Sequence, residues 1–142
     1  MTGTRRKARE AALQYLFQED FGLADEFEEE SFEERFEQFC VLYQVNRKAR
    51  PYMKTLLKGI GVNQEVVDTL ITESAKNWRL ERLAVTDRSL LRIAVYEMQF
   101  AEEVPTQVAI NEAVEIAKRF GGDESPAFIN GILDAVGRKI AS

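Results

Sequence analysis

The sequence predicts an all-α fold of about seven helices grouped into two small bundles. Three observations predict it. Apolar residues recur at helical spacing along most of the 142 residues; no stretch alternates apolar and polar residues for long enough to make a strand; and the breaks between periodic segments carry glycine, proline and capping residues. The short connections favour antiparallel neighbours, and no solenoid repeat is present. We expect residues 1–142 to form one domain with an internal seam near residues 59–63, where Gly59 and Gly61 interrupt the pattern.

Each element has its own local signal. In the first helix Ala8, Ala12, Leu13, Leu16 and Phe17 form one apolar stripe with Arg5, Arg6 and Arg9 to its side, and Phe21-Gly22-Leu23 ends it with Gly22 as the left-handed stop. Ser31 and Glu34 have the spacing of a capping box, after which Phe32, Phe36, Phe39, Cys40 and Tyr43 repeat as an aromatic face. Pro51 opens a third helix with Tyr52, Met53, Leu56, Leu57 and Ile60 inward, ending at the two glycines. Asn63 caps a fourth with Val66, Val67, Leu70 and Ile71 inward, ending near Trp78. Thr86 caps a fifth, whose Leu90, Leu91, Ile93, Ala94, Val95 and Met98 make a stripe wide enough for a central, mostly buried helix. Val104-Pro105 stops it. Thr106 caps a sixth helix carrying Ala109, Ile110, Ala113, Val114, Ile116, Ala117 and Phe120, which Gly121-Gly122 ends. Ser125-Pro126 opens the last, with Phe128, Ile129, Ile132, Leu133 and Val136 inward.

Composition excludes several function classes. With no histidine, imidazole-dependent catalysis is out and the commonest transition-metal ligand is missing. The single Cys40 cannot close a disulfide within the chain or build a thiolate cage. No catalytic residue, metal site or cofactor is expected. No apolar run is long enough for a membrane span and no secretory signal is recognisable, so the chain reads as soluble and cytoplasmic. The net charge of −5 is unevenly placed. Residues 1–9 carry Arg5, Arg6, Lys7 and Arg9 and no acid; residues 10–37 carry eleven acids against Arg35 alone; the remainder is nearly neutral. A basic tip beside an acidic belt permits an anionic partner at one end despite the acidic total.

Three blocks of residues carry a resemblance. Arg5-Arg6-Lys7-Ala8-Arg9-Glu10-Ala11-Ala12-Leu13-Gln14 is the first. Leu90-Leu91-Arg92-Ile93-Ala94-Val95-Tyr96-Glu97-Met98, then Val104-Pro105, then the run from Val108 to Lys118 is the second. Phe120-Gly121-Gly122, Ser125 and Phe128-Ile129-Asn130-Gly131-Ile132-Leu133-Asp134 complete it. In order and spacing the chain resembles the bacterial NusB family of transcription antitermination factors, strongly over residues 5–17 and from about residue 78 onward, weakly between 20 and 50. The resemblance implies two three-helix bundles, a partner in the NusE-type small-subunit ribosomal protein, binding to the boxA RNA element of ribosomal RNA operon transcripts, and support of RNA polymerase in the antitermination complex. It also leaves a homodimer open, because some family members self-associate through the arm-bearing face.

The arm Arg5, Arg6, Lys7 and Arg9 is the RNA-binding candidate that the residues themselves suggest. A guanidinium presents a fixed fork of donors that can grip phosphate or stack on an unpaired base, and cations at a helix start oppose the helix dipole, a placement that stability alone would not favour. A solvated basic tip is the competing reading of the charge. Phe120, Gly121, Gly122 and Phe128 form a second RNA candidate: the glycines would expose backbone N–H groups, the helix start at Ser125 favours anions, and a surface phenyl ring would stack on a base. Periodicity alone sends both rings to the core, whereas the resemblance places matching aromatics on the RNA face. The resemblance also assigns Phe17, Glu81 and Asp87 to the ribosomal-protein interface, although core packing would equally explain Phe17 and the helix dipole Asp87. Asn111 and Glu112 read as helix surface or junction, and Asn130 as a buried hydrogen-bonding residue. The belt at residues 19–37 reads as a solvated face that repels RNA, with no assigned partner. Two other readings remain on the residues alone. One is a protein-binding helical scaffold. The other is a detached accessory domain of an RNA methyltransferase, although no glycine-rich loop for a nucleotide cofactor is present.

Overall fold

Helix follows periodicity throughout the described residues, 3–20 and 28–142 of a computed structural model. Seven α-helices and no strand occur among them: α1 (Thr4–Asp20), α2 (Glu29–Leu42), α3 (Arg50–Val62), α4 (Gln64–Ser74), α5 (Val85–Phe100), α6 (Thr106–Phe120) and α7 (Ser125–Ala141). Two single 3₁₀ turns, Arg47–Ala49 and Leu80–Arg82, punctuate the chain. The predicted stop at Gly22, like Asp25 and Glu26 of the acidic belt, lies outside the described residues. The chain divides into two compact units, Met1–Val62 and Asn63–Ser142.

In the first unit an aromatic core binds α1 to α2. Tyr15 meets Phe32 and Phe39 edge-on, with ring centroids 6.0 and 5.3 Å apart, and Ala12, Leu13, Phe36, Cys40, Met53, Leu56 and Ile60 are among the other buried residues of this unit. Burial raises the Tyr15 hydroxyl to about 12, reinforced by the charge of Glu19, and burial likewise raises the Cys40 thiol. The acidic belt is only partly a solvated face. Glu19 pairs with Arg35 at 3.0 Å, Glu33 with Lys54 at 2.5 Å and Glu29 with Lys58 at 2.5 Å, so three of its carboxylates tie helices together.

In the second unit α5 is the central helix, packed against α4, α6 and α7. Leu90, Leu91, Ile93, Ala94 and Val95 are all buried, as the wide stripe requires, and so are Ile116, Ala117, Ile129 and Leu133 on the α6 and α7 helices packed against it. Arg92 grips Asp68 of α4 through two bonds, Nε to Oδ1 at 2.8 Å and Nη2 to Oδ2 at 3.1 Å. Such a fork fixes geometry as well as charge.

Several boundaries and faces depart from the sequence reading. α3 runs through Gly59 and Gly61 to Val62, because burial of Leu56, Leu57 and Ile60 outweighs the roughly 1 kcal/mol that each glycine costs a helix. α2 begins at Glu29, placing Ser31 inside it, where its hydroxyl reaches back to Glu28 at 3.5 Å. α4 ends at Ser74, before Trp78, and α5 begins ahead of Thr86, with Ala84 at the N-cap. Tyr15 replaces Phe17 on the buried face of α1, leaving Phe17 exposed. Val66 is exposed as well, and Tyr43, just past the end of α2, accepts a hydrogen bond from Gln18 at the surface. Asn130 is exposed, not buried, so solvent can satisfy its amide.

Candidate nucleic-acid interface

The two candidate regions lie in different units and are described separately. In the first unit the arm forms the opening turn of α1, which carries no acid to meet the positive end of the helix dipole. Arg5 and Lys7 are exposed, Arg6 is half-buried, and Arg9 is only 4% exposed. The difference has a structural cause in α3. The ring of Tyr52 lies under both arginines on its side of α1, with the Arg5 guanidinium carbon 4.1 Å and that of Arg9 5.7 Å from the centroid. Helical spacing of four puts Arg5 and Arg9 on one face, so the same ring serves both. Arg9, expected at the side of the stripe, is instead part of the packed interior. Its guanidinium is directed by Tyr52, and its burial leaves Arg5, Arg6 and Lys7 as the cations a ligand can reach.

In the second unit the turn between α6 and α7 is set by a close approach. A Cβ on Gly121 would stand 2.6 Å from the Ser125 Cβ and 3.0 Å from the Ala117 carbonyl oxygen, so only glycine fits there. The N–H of Gly121 donates to that carbonyl at 2.8 Å, and the N–H of Gly122 donates to the Ser125 hydroxyl at 3.0 Å. Both glycine N–H groups are thus used within the turn, which corrects the expectation that they stand open to an anion. What the turn presents instead is aromatic and cationic. Phe120 is 48% exposed at the end of α6, with the Arg119 guanidinium 5.0 Å from its ring centroid. Phe128 is half-buried at the start of α7, where it meets Trp78 edge-on with centroids 5.6 Å apart.

Trp78 is the residue that sequence reading missed. The pattern places it at the end of a helix, yet it lies in the irregular segment between α4 and α5 and is 55% exposed. Arg88, buried on α5, holds that segment down by donating to the carbonyls of Leu80 at 3.2 Å and Leu83 at 3.4 Å. Lys76, Arg79 and Arg82 flank the indole and are exposed. An aromatic interleaved with basic residues is itself a single-strand-binding signal, and it was legible at residues 76–82. Trp78, Arg82, Gly122 and Phe128 line a cleft of about 370 Å³, and Asp87, the third residue of α5, lines it too. The Asp87 Oδ1 atom is buried without a hydrogen-bond partner. Trp78 also lines a second hollow of about 420 Å³, together with Lys76, Arg79 and Glu81.

The structure therefore brings Gly122, Phe128 and Asp87 to one cleft and leaves Phe120 exposed at the end of α6. Glu81 is exposed in the 3₁₀ turn. Phe17 is exposed on α1, in the first unit.

Comparison with known proteins gives a consistent result. The NusB family model matches residues 6–138. A transcription antitermination protein NusB from Desulfotalea psychrophila is 58% identical over 132 residues, covering 93% of this chain and 94% of that protein. Among solved structures, T. maritima NusB superposes with a TM-score of 0.79 at 36% identity, covering 100% of this chain and 96% of that one. A complex of antitermination factors NusB and NusE with double-stranded RNA contains a chain of the same fold, with a TM-score of 0.80 at 23% identity and coverage of 98% and 99%.

Proposed function

Because the chain belongs to the NusB family, we propose that it is a transcription antitermination factor that binds the boxA RNA of ribosomal RNA operon transcripts together with a NusE-type ribosomal protein, in the cytoplasm, and so supports processive RNA polymerase. The observation that carries the RNA reading is the opening turn of α1, where Arg5 and Lys7 are exposed and the first turn of the helix contains no acidic residue. Exposed cations in that position neutralise phosphate and release counterions. Phe120, backed by Arg119, adds an exposed stacking surface in the second unit. The work is binding rather than catalysis, as in the relatives.

For the protein partner the docking candidates are Phe17 and Glu81, an exposed ring and an exposed acid suited to a basic ribosomal protein. Asp87, which the resemblance assigns to the same interface, lines the cleft beside Phe128. The match to the Desulfotalea psychrophila protein along 94% of its length disfavours a detached methyltransferase module. A labelled boxA RNA and a scrambled control, titrated with the chain, test the proposal: preference for boxA supports it, and equal binding contradicts it.

A further inference from the structure

We propose that Tyr52 is a positioning residue for RNA binding, whose ring holds the Arg5 guanidinium ready for phosphate; the inference rests on the RNA-binding reading above. An exposed arginine has one of the largest rotamer entropies of any side chain, and a ligand that orders it gives up affinity in doing so. Arg5 is exposed, yet its guanidinium carbon lies over the Tyr52 ring, 4.1 Å from the centroid and well inside the range of a cation–π contact. Part of that ordering is therefore complete before RNA arrives.

The ring is suited to the task because it is itself held. Tyr52 is half-buried on α3, its neighbours Ala49 and Met53 are fully buried, and the buried Arg9 lies 5.7 Å from the same ring. The platform is thus anchored in the packed interior while the cation above it reaches solvent. The N–H donors of a guanidinium lie in its own plane, so a ring that attracts its face leaves those donors for phosphate oxygens. Lys7 stands two residues further along α1, roughly 200° around the helix from Arg5, and is off the face that Tyr52 serves. Tyr52 therefore acts on one of the two exposed cations and not on the other.

The test is a double-mutant cycle on labelled boxA RNA, read by anisotropy at several salt concentrations, with helicity checked for every variant. Y52L removes the ring and keeps every charge, so it should weaken binding about fivefold without changing the salt slope. In an R5A background the same substitution should have no further effect, whereas its effect should add in full to that of K7A. Y52F keeps the face of the ring and should keep the wild-type affinity. In the wild type, whose folding no substitution disturbs, NMR should show the Arg5 side-chain protons shifted upfield by the ring, both free and with RNA bound. Equal weakening by Y52L in the wild-type and R5A backgrounds, a loss in Y52F as large as in Y52L, or a ring-current shift that is absent or disappears on binding overturns the positioning role and leaves RNA binding standing. A wild-type chain that binds no RNA overturns both.

Discussion

Removing the exposed cations of α1 while sparing the buried one separates RNA contact from folding. The double variant R5A/K7A deletes two charges that solvent reaches, and each phosphate released from neutralisation on a single strand makes the log–log salt slope shallower by about 0.7. The slope should therefore flatten by about 1.4, so that over a fourfold rise in salt the wild type loses roughly sevenfold more of its affinity than the variant does. The stability cost is small: Arg5 gives up a cation–π contact with Tyr52 at 4.1 Å, worth about 0.5–1 kcal/mol at an exposed site, and Tm should fall by only about 2–4 °C. R9A should behave oppositely. Its side chain is 4% exposed, so its loss should cost about 1–3 kcal/mol of stability with no direct loss of a phosphate contact. Anisotropy titrations at several salt concentrations, paired with thermal denaturation, measure both quantities. An unchanged slope in R5A/K7A, or a flattened slope with undiminished stability in R9A, would refute the division of labour within the arm.

Three further outcomes follow from the packing. Tyr15 carries its proton in the folded unit to about pH 12, whereas an unfolded chain releases it near 10, so the unfolded state binds fewer protons between those values. Its contribution, at most about 2–3 kcal/mol, is present below pH 10 and is lost as pH rises towards 12; Y15F should remove that part of the alkaline decline in a denaturant titration. G121A forces a Cβ to within 2.6 Å of the Ser125 side chain, and we expect about 1–3 kcal/mol of destabilisation in the second unit by urea unfolding, whereas G131A meets no atom within 4 Å and should be tolerated. R92K keeps the charge opposite Asp68 but loses the paired 2.8 and 3.1 Å bonds, lowering stability by about 1–2 kcal/mol in thermal melts.

The helices were legible because their signal is repetitive: the aromatic face at Phe32, Phe36 and Phe39 and the broad stripe of α5 recur at a spacing that only a helix satisfies. Local punctuation misled wherever tertiary burial outweighed it. Gly59 and Gly61 read as a break, yet the packed face of α3 carries the helix through them. Ser31 and Thr86 have capping chemistry, but each lies inside its helix. Side-chain depth was harder still. Periodicity puts Phe17 and Phe120 inside, but both sit at the edge of their stripes near helix ends, where the core no longer reaches, and both are exposed. Arg9 reads as surface because charge usually is, whereas in the fold it is buried with Tyr52, distant in sequence, packed against its guanidinium. Trp78 reads as the end of a helix that stops four residues earlier, although the basic residues around it mark it.

The measurement that tests the account most directly is binding of labelled boxA RNA by the intact chain, with and without the NusE-type ribosomal protein, against a scrambled RNA of equal length and composition. Preference for boxA that strengthens on adding the ribosomal protein, and that weakens in R5A/K7A, is the predicted result. Binding indifferent to sequence, to partner and to the two cations would contradict the assignment and leave a helical scaffold in its place.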